Sequence, residues 1–208
     1  MVGCLRVTRP FLLTIAGRGV PSRRTVARMS SHTTGTASVT AKTLLRIALG
    51  AVLVSHGSQK LFGAFGGGGI EGTAQGMHAM GFRPAKRNAV LAGIGEAGSG
   101  AALALGLATP IAGAGAATTM GVASSVHTPN GFFNADGGFE FPAFLGFSAA
   151  MFALGGPGPV SLDHATRHVF DRPWLRAVAL AAIPVAIAVQ VAQRRKALAS
   201  DAAAPDDA

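Results

Sequence analysis

Residues 44–65, LLRIALGAVLVSHGSQKLFGAF, decide the class of fold. Leu, Ile, Ala and Val dominate the stretch, and Lys42 and Arg46 mark its entry. As a helix rising ~1.5 Å per residue, some twenty residues of this kind cross the ~30 Å hydrocarbon core of a bilayer. The second half is unusual for such a span, because Ser55, His56, Ser58, Gln59 and Lys60 all lie within it.

The chain around this stretch has the same character. Hydrophobic residues make up 49% of the 208 and charged residues 13%, about half the charged share of ordinary soluble domains, which is roughly 25%. Downstream, Gly66–Gly69 breaks the first helix, and residues 70–87 read as a loop or a short amphipathic piece. Asn88–Leu107 is a second span with Glu96 inside it. Its Gly93, Ala97 and Ala101, with Gly100 alongside, have the small-residue spacing that lets helices approach closely in lipid. Thr109-Pro110 turns the chain back, with Pro in the first turn of a third helix. Residues 111–126, almost all Ala, Gly, Val, Thr and Ser, predict a smooth helix packed inside the bundle. Phe141–Leu154 is a fourth span, and Trp174–Val191 a fifth, with Trp174 as interface anchor and Pro184 as a kink. The expected architecture is therefore all-α: an integral membrane bundle of four core transmembrane helices over 41–163, a polar linker and a fifth helix over 164–196, and disordered ends at 1–40 and 197–208.

The net charge of +9, from 18 Lys+Arg against 9 Asp+Glu, belongs to this arrangement. The basic residues flank the apolar stretches, where they meet lipid headgroups, and nothing points to nucleic acid. The segment 1–40 holds Arg6, Arg9, Arg18, Arg23, Arg24 and Arg28 and no acidic residue. That composition resembles a transit peptide, with Met29 as an alternative start. The single cysteine, Cys4, leaves no thiol pair to carry redox chemistry. The positive-inside rule divides. An inner N-terminus suits Lys42, Arg46, Arg167 and Arg172 but places Arg83, Lys86 and Arg87 outside.

Ionisable residues inside membrane helices are read as functional. Tracing the hairpins places His56 and Lys60, Glu96, His127 and Glu140 on one side of the bilayer, with His56 and Glu96 each roughly 12–14 Å below a helix end at ~1.5 Å per residue. A His56–Glu96 or a Lys60–Glu96 contact follows from equal depth, beneath an aromatic loop of Phe132, Phe133 and Phe139. Each residue also has a plainer reading. Lys60 snorkels, Glu96 and Lys60 form a structural pair, His56 packs between helices, and His127 and Glu140 belong to an ordinary loop. No HxxxH or HExxH spacing within this set fixes a metal site, and no phosphate loop or Ser-His-Asp set is present.

Two blocks carry a family resemblance. Leu45-Arg-Ile-Ala-Leu-Gly50, His56-Gly-Ser-Gln-Lys-Leu-Phe-Gly63 and Gly69-Ile-Glu-Gly-Thr73 form the first. His127-Thr-Pro-Asn-Gly-Phe-Phe-Asn134 and Gly137-Gly-Phe-Glu-Phe-Pro142 form the second. Together, over residues 43–163, they resemble the DoxX family of membrane proteins. The resemblance implies a four-helix core in a bacterial cell membrane, and matches the polar positions His56, Lys60, His127, Asn134 and Glu140. Glu96 joins them from the depth argument. It further implies a membrane subunit of a redox or sulfur-oxidising system in contact with quinone, or else a scaffold for a soluble redox or sulfurtransferase partner. A small-solute transporter ranks behind both, for want of an inverted repeat.

Overall fold

The computed structural model describes the backbone of residues 23–203 and the side chains of residues 35–203. Most of the basic N-terminal segment and the last five residues lie outside that range. The chain divides into two units, Met1–Ala37 and Ser38–Ala208; the packing and the site described below belong to the second.

No strand occurs among the described residues. Seven α-helices follow one another: α1 (Arg23–Phe62), α2 (Gly69–Ala79), α3 (Ala85–Leu105), α4 (Thr109–His127), α5 (Glu140–Gly155), the single turn α6 (Leu162–Ala165) and α7 (Pro173–Ala203). Three boundaries differ from those read in the sequence. Residues 23–40 are helical, as the helix of the first span extends upstream through a stretch that contains no Pro. The break comes at Gly63, left-handed at φ 70°, three residues before the glycine run, and the run's last residue opens α2. Residues 69–79 form a helix, the short piece of the two alternatives read at 70–87. At the other end α7 continues to Ala203, so residues 199–203 are helical too.

Helix ends follow local chemistry. Gly106 is left-handed at φ 65°, and the amides of Gly106 and Leu107 donate to Leu103 O and Ala102 O at 2.9 and 2.8 Å. This closes α3 with the paired bonds of a glycine C-terminus. Pro110 sits in the first turn of α4, where its missing N–H costs nothing.

Small residues set the packing. Gly50 and Gly57 on α1 lie seven apart, as do Gly93 and Gly100 on α3, and the two pairs meet in antiparallel register: Gly50 against Gly100, Gly57 against Gly93. The expected face on α3 is thus used, with Ala104 replacing the exposed Ala101. α4 is the central helix. It packs against α3, α5 and α7, burying Ala112, Ala116, Ala117 and Met120 with Leu145 and Ala149 of α5.

The register of α1 on α3 gives a first expected result. A Cβ on Gly100 would sit 2.7 Å from the Gly50 carbonyl oxygen, whereas one on Gly98 meets only an Ile94 methyl at 3.9 Å. Gly100→Ala must push the two backbones apart, at about 1–3 kcal/mol for overpacking. Gly98→Ala should leave the thermal midpoint in detergent unchanged or slightly raised. Equal midpoints for the two variants would mean that α1 and α3 are not in this contact.

The outside of the bundle is apolar. Leu45, Phe144, Phe147 and Val185 are each at least three-fifths exposed, more apolar surface than a water-soluble domain carries. Two helices, Gly35–Phe62 and Pro173–Ala203, are long and apolar enough to cross a bilayer, and the most apolar window of α7 is only 6% buried. A soluble core helix of that hydropathy would be covered. The surface is that of a protein in contact with lipid.

Candidate functional site

The polar residues of the first two spans meet at one end of the bundle. α1 delivers Lys60 two residues before its terminus, and α3 delivers Glu96 at mid-helix. Their side chains form an ion pair with Nζ 2.7 Å from Oε2. Glu96 is 3% exposed, while the Lys60 side chain keeps 27% of its surface accessible. A buried carboxylate needs a partner of this kind. The pair lies at the edge of a part-open cavity of about 250 Å³ lined by α1, α2, α3, α4 and α7. Met77, Met80 and Phe82 of the α2–α3 segment make an apolar wall, and Thr119, His127 and Gln190 add polar groups.

His127 reaches this cavity in a defined tautomer. Its Nδ1 lies 2.8 Å from Gly137 O; a carbonyl only accepts, so Nδ1 carries the proton. In the neutral ring Nε2 is then left as an acceptor. Gly137 O also receives Asn130 Nδ2 at 3.2 Å, which folds the 128–139 loop back on α4.

Of the six residues singled out from sequence, Lys60, Glu96 and His127 share this cavity. The other three do not line it. His56 packs its ring 5.6 Å from that of Phe141 on α5. The His56–Glu96 contact is therefore not made: Lys60, one turn further along α1, takes the carboxylate. Glu140 accepts the backbone N–H of Asn134 at 3.1 Å, so both hold the loop, as the plainer reading had it. Phe132 stacks edge-on with Phe133 and with Phe139, and the loop is aromatic as expected.

Gln190 was missed, because a single amide late in an apolar helix carries no periodic signal. A second polar cluster, at the opposite end, was also missed. Arg46 is no flanking charge: it is 2% exposed and donates to Pro157 O and Val160 O at 2.7 and 2.8 Å. Asp163, fully buried, accepts from the Ala108 and Thr109 amides and the Thr109 hydroxyl at 2.8–2.9 Å. Asp171 accepts from Arg176 Nε and Nη2, both at 2.7 Å, and pairs with His168 at 3.0 Å. Burial pushes its carboxyl up, but the bonds and charges of Arg176 and His168 outweigh it and hold the pKa below the usual aspartate value. Asp171 thus stabilises the fold above the ordinary carboxylate range, and that contribution fades as pH falls toward the lowered value. The signal available in the sequence was Ser161-Leu-Asp163, polar residues beside the helix turn at Thr109-Pro110. Among the described residues, no group of three or more His, Cys, Asp and Glu side chains is arranged to hold a metal ion.

Neither curated proteins nor solved structures give a match to this chain. The DoxX family model matches residues 41–129, the membrane part of α1 together with α2, α3 and α4. That match takes in Lys60, Glu96 and His127 and leaves out Gln190, Asn134 and Glu140. Over those residues the match supports membership of the DoxX family.

Proposed function

We propose that the protein is a multi-pass component of the cell membrane, a membrane subunit of a redox or sulfur-oxidising system, and that its cavity takes the head of a quinone. In this reading α1, α3, α4 and α5 are the four core spans and α7 the fifth. The observation that carries it is the cavity's division into an apolar wall and a polar end anchored by the Lys60–Glu96 pair. At about 250 Å³ it falls below the roughly 300–1,000 Å³ of pockets for drug-sized ligands, which suits a single ring whose tail stays in lipid. A quinone supplies two-electron, two-proton chemistry when bound. The protein's part is to receive the head group: Lys60 offers N–H donors to a carbonyl oxygen, and His127 Nε2 is placed to accept a proton from a hydroxyl. Glu96 fixes the Lys60 ammonium and keeps the site neutral overall, which favours an uncharged ligand.

A second reading is a scaffold for a soluble redox or sulfurtransferase partner. It is favoured by Phe132 and Phe133, 51% and 64% exposed in the loop beyond α4, because exposed aromatic side chains are common anchors at protein interfaces.

Mass spectrometry of quinones co-purifying in mild detergent separates the two readings. Quinone should be retained by the wild type and by Phe133→Ser, and lost from Lys60→Met. Absence of quinone from wild-type protein, together with a stoichiometric partner lost in Phe133→Ser, would replace the first reading with the second.

A further inference from the structure

α7 lies outside the family-matched segment, yet it lines the cavity. Gln190 is among the lining residues, and the three helical turns after it are fastened to the strip of chain that forms the apolar wall. Arg194 Nε donates to Met80 O at 2.7 Å, and the same guanidinium lies 5.9 Å from the centre of the Phe82 ring. Leu198 fills the space beside Gly81, where φ is 85° and an added Cβ would collide with the Leu198 side chain. Asp201 accepts from Arg83 at 2.6 Å. Met80 and Phe82 line the cavity themselves. Four successive contacts, at residues 194, 198 and 201 on one side and 80–83 on the other, therefore tie the helix that carries Gln190 to the cavity's apolar wall. Their spacing of three to four residues puts them on one face of α7.

We infer that α7 completes the ligand site: Gln190 is a contact for the head group of an uncharged amphiphile, and the Arg194–Asp201 arm is the clamp that holds α7 against the cavity's apolar wall and restricts access to it. The head-group part rests on the quinone-class reading above; the clamp does not. An amide both donates and accepts, so Gln190 can bond a carbonyl or a hydroxyl oxygen, the two states of a redox-active ring. Arg83–Asp201 is a part-exposed pair of modest strength, and Arg194 adds one charge-assisted bond.

The test uses the full chain in nanodiscs, in a Cys4→Ser background that removes the single native thiol, with Ala123→Cys as a reporter on the cavity lining. The rate of labelling by a small methanethiosulfonate reagent should rise about tenfold when Arg194→Ala and Asp201→Asn are combined. It should fall when Gln190→Trp fills the space. Labelling unchanged by both overturns the clamp. Affinity for a short-tailed benzoquinone, read by fluorescence quenching, should fall about tenfold in Gln190→Leu, the loss of one hydrogen bond. If Lys60→Met abolishes binding and Gln190→Leu binds as the wild type does, Gln190 is no contact and the inference fails there. If wild-type protein binds no quinone while labelling still obeys the arm, the clamp stands and the quinone reading falls.

Discussion

Lys60→Met is expected to lower the stability of the detergent-solubilised protein by about 3 kcal/mol, and Lys60→Met with Glu96→Leu to recover most of that loss. The asymmetry comes from burial. Removing the cation strands a carboxylate whose side chain is 4% exposed, and breaking one side of a buried pair costs roughly 3–5 kcal/mol. The lower end applies because the Lys60 ammonium retains contact with the cavity. Removing both charges leaves an apolar contact of similar volume, often neutral or better. A double-mutant cycle on denaturation midpoints in mixed micelles, with Glu96→Leu as the second single variant, isolates the coupling. A Lys60→Met variant within 0.5 kcal/mol of wild type would mean that water reaches Glu96 freely, and that the pair does not anchor the polar end of the cavity. The functional prediction runs the other way for the double variant: stability returns, but quinone does not, since the donor is gone.

What the sequence made legible divides along one physical line. Features set by periodicity and by helix direction were readable. The antiparallel order of the helices follows from alternating spans and tight turns, and it alone brings Lys60, Glu96 and His127 to one end. The depth of Glu96 below Asn88 follows from ~1.5 Å per residue; it matched Glu96 to His56, and the ion pair with Lys60 was the other of the two contacts it left open. Rotation about the helix axis was not readable. His56 and Lys60 are four residues apart and share a face in a loose sense, yet only Lys60 points to α3, while His56 turns toward Phe141. That choice depends on where Gly57 lets α3 approach, a tertiary fact. The polar cluster around Arg46 and Asp163 was hidden for a different reason. An Arg at the edge of an apolar stretch has the same sequence signature whether it faces headgroups or is buried against carbonyls. Gln190 shows the limit most clearly. Its place at the cavity comes with the contacts of Arg194, Leu198 and Asp201 further along the helix, and in the sequence those residues are only the end of the fifth span and the tail.

Asp163→Ala is expected to destabilise the bundle by about 2–4 kcal/mol, the largest effect of any single change outside the cavity. Its carboxylate is fully buried and satisfies the first amides of α4 together with the Thr109 hydroxyl, so alanine leaves three donors without their partner. Each unsatisfied buried group costs about 1–3 kcal/mol, and the negative charge at a helix N-terminus is lost as well. Asp163→Asn keeps one carbonyl acceptor and should fall between the two. Thermal unfolding in detergent reads the series; Ala and Asn variants both within 0.5 kcal/mol of wild type would show that the 161–165 turn does not hold α4. The consequence for the site follows from α4 itself, a rigid helix with Asp163 on its first amides and Thr119 and His127 near the cavity. Loosening its start lets the helix shift as a body along α3 and α5. Asp163→Ala should therefore weaken quinone retention even though it lies at the opposite end from Lys60, and Asp163→Asn should restore retention in step with stability. Retention that recovered without stability would place the aspartate's influence on the ligand elsewhere than in holding α4.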